Sequence, residues 1–150
     1  MSRRIFLMIT LFWLATAVHA QQGLHINGLL SGKIISQGEM AAIGGVEVRV
    51  RGRALSKYNL NFYHSYHFMA TAGQKAKVDE LITKDRLKAI SSEVTTKGRA
   101  VTTILTMPAE GANNRFICYI VRPKGKAAEL TVVYMEGRVR NISELRKLIK

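Results

Sequence analysis

The chain has 150 residues, a formal net charge of +13 at pH 7 and a single cysteine. This length is typical of one domain that buries enough surface to form a core. One cysteine excludes an internal disulfide, so the packed core has to stabilise the fold.

The first twenty residues have the parts of a secretory signal peptide. Two arginines stand at the start, residues 5–17 are an apolar run, and a small residue follows at Ala20. The alternative is an uncleaved membrane anchor, but a spanning helix needs roughly 20 apolar residues and this run is shorter. We therefore predict a signal peptide at 1–20 and an exported domain at 21–150 that is periplasmic, associated with the outer envelope or secreted, with no transmembrane segment in its mature form.

Export narrows the partners that the positive charge indicates. Cleavage removes two arginines and no acidic residue, so the net charge falls from +13 to +11. In a cytosolic protein such a charge is typical of nucleic-acid binding, which export disfavours. The remaining anionic partners are lipid headgroups, lipopolysaccharide, acidic polysaccharide or a partner protein. The alternative is that the charge only keeps the domain soluble.

The first half of the mature chain predicts a hairpin followed by a helix. Residues 21–45 are rich in glycine and predict a helical turn or irregular segment, then a loop. Residues 46–51 alternate between valines and charged residues, which predicts a strand whose three valines face a core, and residues 60–68 predict its hairpin partner. Residues 74–91 change to the helical period and predict one long amphipathic helix.

The second half predicts further extended segments and a short helix. Residues 93–106 are rich in threonine, valine and isoleucine and predict an extended stretch with a kink or tight turn. Residues 116–121 and 130–135 predict a hairpin, and Asn141 or Ser143 is suited to cap a final helix. The order predicts an α+β domain with an antiparallel sheet of about five strands and one long and one short C-terminal helix packed on one face.

His25, His64 and His67 raise the question of a metal site. His64 and His67 are three residues apart on a predicted strand, so their side chains point to opposite faces unless a bulge intervenes. The sequence offers no second cysteine and no nearby carboxylate pair to complete four ligands. We therefore predict no metal site and no cofactor, and interpret these residues as strand histidines.

Cys118 is a candidate nucleophile, but its surroundings argue against that role. It lies within residues 115–122, which are apolar on both alternating faces and predict a buried strand with a small buried side chain at Cys118. No G-x-S-x-G motif or acid/base pair accompanies it. We therefore predict no catalytic residues. The alternative is a small exported hydrolase or redox enzyme that uses Cys118, His64 or His67.

Arg49, Arg51 and Arg53 are the best-supported candidates for binding. Alternation along a strand would place the three guanidinium groups on one face, about 6–7 Å apart, a spacing that suits successive phosphates, sulfates or carboxylates. The alternative is a solvated outer face, or an edge strand that its charges protect from aggregation. The pattern by itself favours that alternative, and Arg49, Arg51 and Arg53 remain the candidate anion-binding site.

Four stretches together resemble a known kind of protein: residues 22–26, 48–58, 115–119 and 132–137. The chain resembles small exported proteins of Bacteroidota that are classed as a domain of unknown function. This resemblance implies an exported α+β protein with no established activity and no known catalytic residues to carry over.

These features favour a non-enzymatic binding or interaction module of the cell envelope whose basic surface meets an anionic partner. The hydrolase or redox enzyme named above is the alternative. A self-associating or partner-bound structural subunit is a third hypothesis, and the sequence does not predict the oligomeric state.

Overall fold

A computed structural model describes residues 23–149 of the chain. The predicted signal peptide and its cleavage site lie outside these residues. The described residues form six β-strands, four α-helices and one 3-10 helix. In chain order these are α1 (Asn27–Leu30), α2 (Gln37–Ala42), β1 (Val46–Arg51), the 3-10 helix (Arg53–Tyr58), β2 (Leu60–Ala70), α3 (Ala72–Arg86), β3 (Ser91–Lys97), β4 (Ala100–Glu110), β5 (Asn113–Lys124), β6 (Ala127–Gly137) and α4 (Ile142–Ile149).

The six strands form one antiparallel sheet in the order β1-β2-β6-β5-β4-β3. The central strands β2, β6 and β5 have neighbours on both sides and are rich in buried residues. β1 and β3 are the two edges, and most of their residues are exposed. The predicted hairpin of β1 and β2 is confirmed, with the 3-10 helix in its connection.

One face of the sheet, the first face, carries the larger hydrophobic cluster. The N-terminal helices and α3 cover this face, and Ile26, Leu29 and Val78 are fully buried there. Burial of each such side chain stabilises the fold by about 1.5–3 kcal/mol. The sheet contributes Phe62, Tyr66, Phe68, Leu105, Met107, Ile117, Tyr119, Leu130, Val132 and Tyr134 to the cluster.

The described residues cover the opposite face, the second face, only in part. Leu145 of α4 and Leu55 of the 3-10 helix pack against it. α4 follows Asn141, whose Oδ1 accepts a hydrogen bond from the Glu144 backbone N–H at 3.0 Å, so the predicted Asn141 cap is confirmed. The sheet contributes Leu60, Ile104, Phe116, Cys118, Val133 and Met135 to this second cluster.

β1 lies at the uncovered side of the second face. Its Val46 and Val48 are 54% and 41% exposed, and Val50 is half-buried. The prediction that all three valines face a core is therefore wrong. β1 is an edge strand, and neither α4 nor the 3-10 helix extends over Val46 and Val48.

The predicted sheet of about five strands with both helices on one face is wrong. Of the predicted kink or tight turn, the tight turn is confirmed: Gly98 adopts a φ of 62°, and residues 91–110 form two strands, β3 and β4, which the predicted count took as one. The helices divide between the two faces, with α3 on the first and α4 on the second. Two further short helices, α1 and α2, occupy the region predicted to be a turn and a loop.

The long helix α3 has different ends from the predicted 74–91. Thr71 Oγ1 accepts a hydrogen bond from Gln74 N at 3.2 Å, and the Gln74 side chain accepts one from Thr71 N at 3.0 Å. This capping box starts the helix at Ala72. The helix ends at Arg86, so Ile90 lies outside it and is 69% exposed.

Candidate functional site

The cross-strand register places Arg49 and Arg51 on the first face of β1. Arg49 lies opposite His64, and Arg51 lies opposite Phe62. Arg53 does not continue this row, because β1 ends at Arg51 and Arg53 is the first residue of the 3-10 helix. Gly52 makes the change of direction with a φ of 90°. The predicted row of three is therefore a pair on the strand and a third arginine beyond the turn.

Arg49 and Arg51 both pack over the ring of Phe62. The guanidinium carbon of Arg51 is 4.7 Å from the ring centroid, and that of Arg49 is 5.9 Å from it. Phe62 is only 4% exposed, so the two arginines cover the edge of the first-face core. Cation–π contacts of this kind hold the guanidinium groups in place while their outer N–H groups stay available.

A fourth arginine joins these three at the same end of the sheet. The backbone N–H of Arg138 donates a hydrogen bond to the Asn59 carbonyl at 2.8 Å, which places the main chain of Arg138 immediately beside the end of the 3-10 helix. Within residues 23–149 no ion pair involves Arg49, Arg51, Arg53 or Arg138. We call these four residues the arginine patch.

Glu47 joins a buried hydrogen-bond network beside the arginine patch. Its Oε2 accepts a hydrogen bond from the Tyr66 hydroxyl at 2.5 Å, and its Oε1 lies 3.2 Å from His64 Nε2. Burial lowers the pKa of His64 below the ordinary value of 6.5 and Arg49 lowers it further, while Glu47 opposes both. Burial and the Glu47 carboxylate raise the pKa of Tyr66 to about 12. The Glu47 carboxylate is therefore held by buried partners, next to Arg49 on the same face of β1.

The structure separates the histidines that the sequence singled out. His64 is buried on the first face, whereas His67 lies on the second face with its Nδ1 2.7 Å from Thr131 Oγ1 and its Nε2 3.0 Å from Glu129. The prediction that they point to opposite faces is confirmed. Among residues 23–149, no three His, Cys, Asp or Glu side chains are grouped so that they could hold one metal ion.

Cys118 and His64 lie on opposite sides of the sheet. Cys118 belongs to the second-face cluster and is fully buried, as predicted. Burial raises the pKa of its thiol to about 12, which disfavours the reactive thiolate. His67 shares the second face with Cys118, but its two ring nitrogens contact Thr131 Oγ1 and Glu129 rather than the Cys118 thiol.

A groove on the second face was not predicted from the sequence. It lies between the 3-10 helix and α4, has a volume of about 640 Å³, and has Val48, Val50 and Val133 in its lining with Lys147 at α4. The alternating valines of β1 indicate an apolar surface on this face, but the sequence does not show how much of that surface a helix covers.

In the described part of the chain no helix is long and apolar enough to span a membrane.

Comparison with known proteins assigns a family. A family model matches residues 13–149 of the chain. The chain belongs to DUF6108, a family of unknown function. Membership in DUF6108 confirms the resemblance to a domain of unknown function, whereas the Bacteroidota origin stays a prediction. Neither the search of curated proteins nor the search of solved structures gave a match.

Proposed function

We propose that this member of DUF6108 is a non-enzymatic binding module of the cell envelope that holds an anionic partner at the arginine patch. The observation that carries the proposal is the gathering of four arginines at one end of the sheet, outside any ion pair of the described residues. Export, as predicted from residues 1–20, would place lipid headgroups and acidic polysaccharides within reach.

The geometry of the arginine patch suits extended anions. Arg49 and Arg51 both contact the Phe62 ring, and this shared contact favours side-chain positions from which both can bind one phosphate or carboxylate. Arg53 begins the 3-10 helix and Arg138 follows β6, so both stand at the same end of the sheet. The nearby carboxylates of Glu47 and Glu136 accept hydrogen bonds from the buried hydroxyls of Tyr66 and Tyr134, at 2.5 and 2.6 Å respectively.

The first experiment is cosedimentation of the purified protein with phosphatidylglycerol vesicles, phosphatidylcholine vesicles and an acidic polysaccharide. We expect association with the anionic targets at about 10 mM salt that weakens at about 150 mM, because the screening length falls from about 30 Å to about 8 Å. Absence of association at low salt would overturn the proposal and assign the charge to solubility.

Matched variants separate the effect of the arginine patch on anion binding from the effect of the overall net charge. Arg53→Gln/Arg138→Gln removes two patch charges that make no contact with Phe62, and Arg99→Gln/Lys126→Gln removes two charges from turns at the opposite end of the sheet. We expect the first pair to weaken anion binding more than the second. Equal effects would mean that net charge, not the patch, drives association.

A further inference from the structure

The second-face groove has the size and lining of a small-molecule site. Its volume of about 640 Å³ lies within the range of about 300–1,000 Å³ that is usual for ligand pockets. The floor is formed by side chains of β1, β2, β6 and β5, and the walls by the 3-10 helix and α4. Among residues 23–149 no acidic residue lines it; its lining includes Val48, Val50, Tyr58, Tyr63, Val133 and Lys147.

The apolar floor of the groove is open at its β1 side. Val48 is 41% exposed and the adjacent Val46, outside the lining, is 54% exposed, whereas the lining residues Leu60, Val133 and Met135 are buried. Covering such side chains is favourable by about 25 cal/mol for each Å² removed from water. An apolar chain laid along β1 would cover them and continue the second-face core.

Two lysines stand at the edges of this apolar floor. Lys147 lines the groove from α4, and Lys57 Nζ lies 4.8 Å from the ring centroid of Tyr58, which lines the groove from the 3-10 helix. No ion pair of residues 23–149 involves either lysine. The charge of the rim is therefore complementary to an anionic headgroup, and the floor is complementary to a hydrocarbon chain.

We propose that the groove binds a single-chain anionic amphiphile, with its acyl chain against Val48, Val50 and Val133 and its headgroup at Lys147 and Lys57. The headgroup is a carboxylate or a phosphate, as in a fatty acid or a lysophospholipid. This site goes beyond the arginine patch, because Arg49 and Arg51 lie on the other face of β1 and the groove would bind the hydrocarbon chain as well as the headgroup.

The test is isothermal titration of the purified protein with dodecanoate and with a lysophosphatidylglycerol, each below its micelle concentration, beside dodecanol and dodecyltrimethylammonium. We expect saturable binding of one or both anionic ligands, weaker binding of dodecanol and the weakest binding of the cation. The stronger of the two anionic ligands identifies the headgroup. Equal binding of anion and cation, or no saturable binding of either anion, would overturn the proposal.

A matched pair of substitutions locates the ligand. Val48→Trp places an indole over the groove floor, whereas Val94→Trp places the same side chain on the other edge strand, where Val94 is 49% exposed. We expect Val48→Trp to weaken dodecanoate binding by about tenfold. This factor corresponds to about two methylene groups of the ligand that are no longer buried. Val94→Trp is expected to leave the affinity unchanged.

Two further measurements distinguish ligand binding in the groove from binding at the arginine patch and from dimer formation. Lys57→Gln/Lys147→Gln is expected to weaken dodecanoate binding but not dodecanol binding, and Arg53→Gln/Arg138→Gln is expected to change vesicle association without changing dodecanoate binding. If sedimentation velocity shows a dimer that Val48→Trp converts to a monomer, the groove is covered by a second copy of the chain and the proposal is wrong.

Discussion

Asp85 joins the segment before α1 to α3 through two hydrogen bonds. It is fully buried in α3, its Oδ1 accepts a hydrogen bond from the His25 N–H at 2.7 Å, and its Oδ2 accepts one from the Ile26 N–H at 2.8 Å. Both donors stand at the start of α1, where a helix has N–H groups without internal partners. One carboxylate therefore satisfies two backbone groups and holds α1 on the first face.

We expect Asp85→Ala to lower the free energy of unfolding by about 3 kcal/mol. Hydrogen bonds to charged groups contribute about 1.5–3 kcal/mol each, and the substitution leaves two donors inside the protein. Urea denaturation measures the change. Glu80→Ala on the same helix is the control, because the Glu80 side chain is 64% exposed and its pair with Lys84 is expected to contribute less than about 1 kcal/mol. Similar losses in both variants would contradict this role for Asp85.

His64 is expected to make the stability of the fold depend on pH. Burial and Arg49 lower its pKa in the folded protein, whereas in the unfolded chain the pKa returns toward 6.5. Between the two values the unfolded chain binds more protons, so the free energy of unfolding falls as the pH falls below about 6.5.

The measurement is the free energy of unfolding at about pH 8 and about pH 5 for the wild type and His64→Gln. We expect His64→Gln to lose less stability on acidification than the wild type. An identical pH dependence in both proteins would exclude His64 as the source.

At the scale of single elements, the sequence predicted strands where their two faces differ in polarity. β1 and β2 alternate clearly, and the hairpin of β5 and β6 follows from its apolar runs. The sequence did not separate β3 from β4, because β3 has a single apolar residue, Val94, among polar ones. This mostly exposed edge strand therefore lacks the alternation that marks a half-buried strand. Its pairing with β4 depends on the turn at Gly98 rather than on hydrophobic burial.

At the scale of the element, replacing two glycines by alanine is expected to change the free energy of unfolding in opposite directions. Gly73 lies in the first turn of α3, and an added Cβ would be 4.0 Å from its nearest neighbour, Thr71 Oγ1. An added Cβ at Gly137, at the end of β6, would collide with the Asn59 carbonyl oxygen and lie 2.6 Å from Leu60 Cα.

We therefore expect Gly73→Ala to raise the free energy of unfolding by about 0.5–1 kcal/mol, because alanine favours the helix. Gly137→Ala is expected to lower it by about 1–3 kcal/mol, because the backbone beside the 3-10 helix has to move. Thermal denaturation monitored by circular dichroism measures both. Unchanged stability of Gly137→Ala would contradict the close packing of Gly137 against the backbone of Asn59 and Leu60.

At the scale of the whole molecule, residues 23–149 cover the two faces of the sheet unequally. The first face holds α1, α2 and α3, while α4 and the short 3-10 helix leave an open groove on the second. Amphipathic helices can be predicted from their periodicity. The face of the sheet on which each helix packs depends on the path of the connecting chain, which local sequence patterns do not show. For the same reason the sequence predicted the Arg49 and Arg51 pair but neither the added Arg138 nor the groove.

Cys118 offers a single-site measure of whether the molecule unfolds as one unit. It is the only cysteine and is fully buried in the second-face cluster with Leu145. With a thiol pKa of about 12, it is expected to react with a thiol reagent only through unfolding. A domain of about 5–15 kcal/mol stability populates its unfolded state so little that labelling at pH 8 should be slower by about a thousandfold or more than in denaturant.

Combining this probe with Asp85→Ala tests how the two faces are coupled. Asp85 acts on the first face and Cys118 reports on the second, and the central strands β2, β6 and β5 separate them. If the fold is cooperative, a loss of about 3 kcal/mol at Asp85 should speed Cys118 labelling by about a hundredfold. An unchanged labelling rate would mean that the second-face cluster opens independently. The groove beside it would then belong to the less stable part of the molecule, as is common for sites that have to admit a ligand.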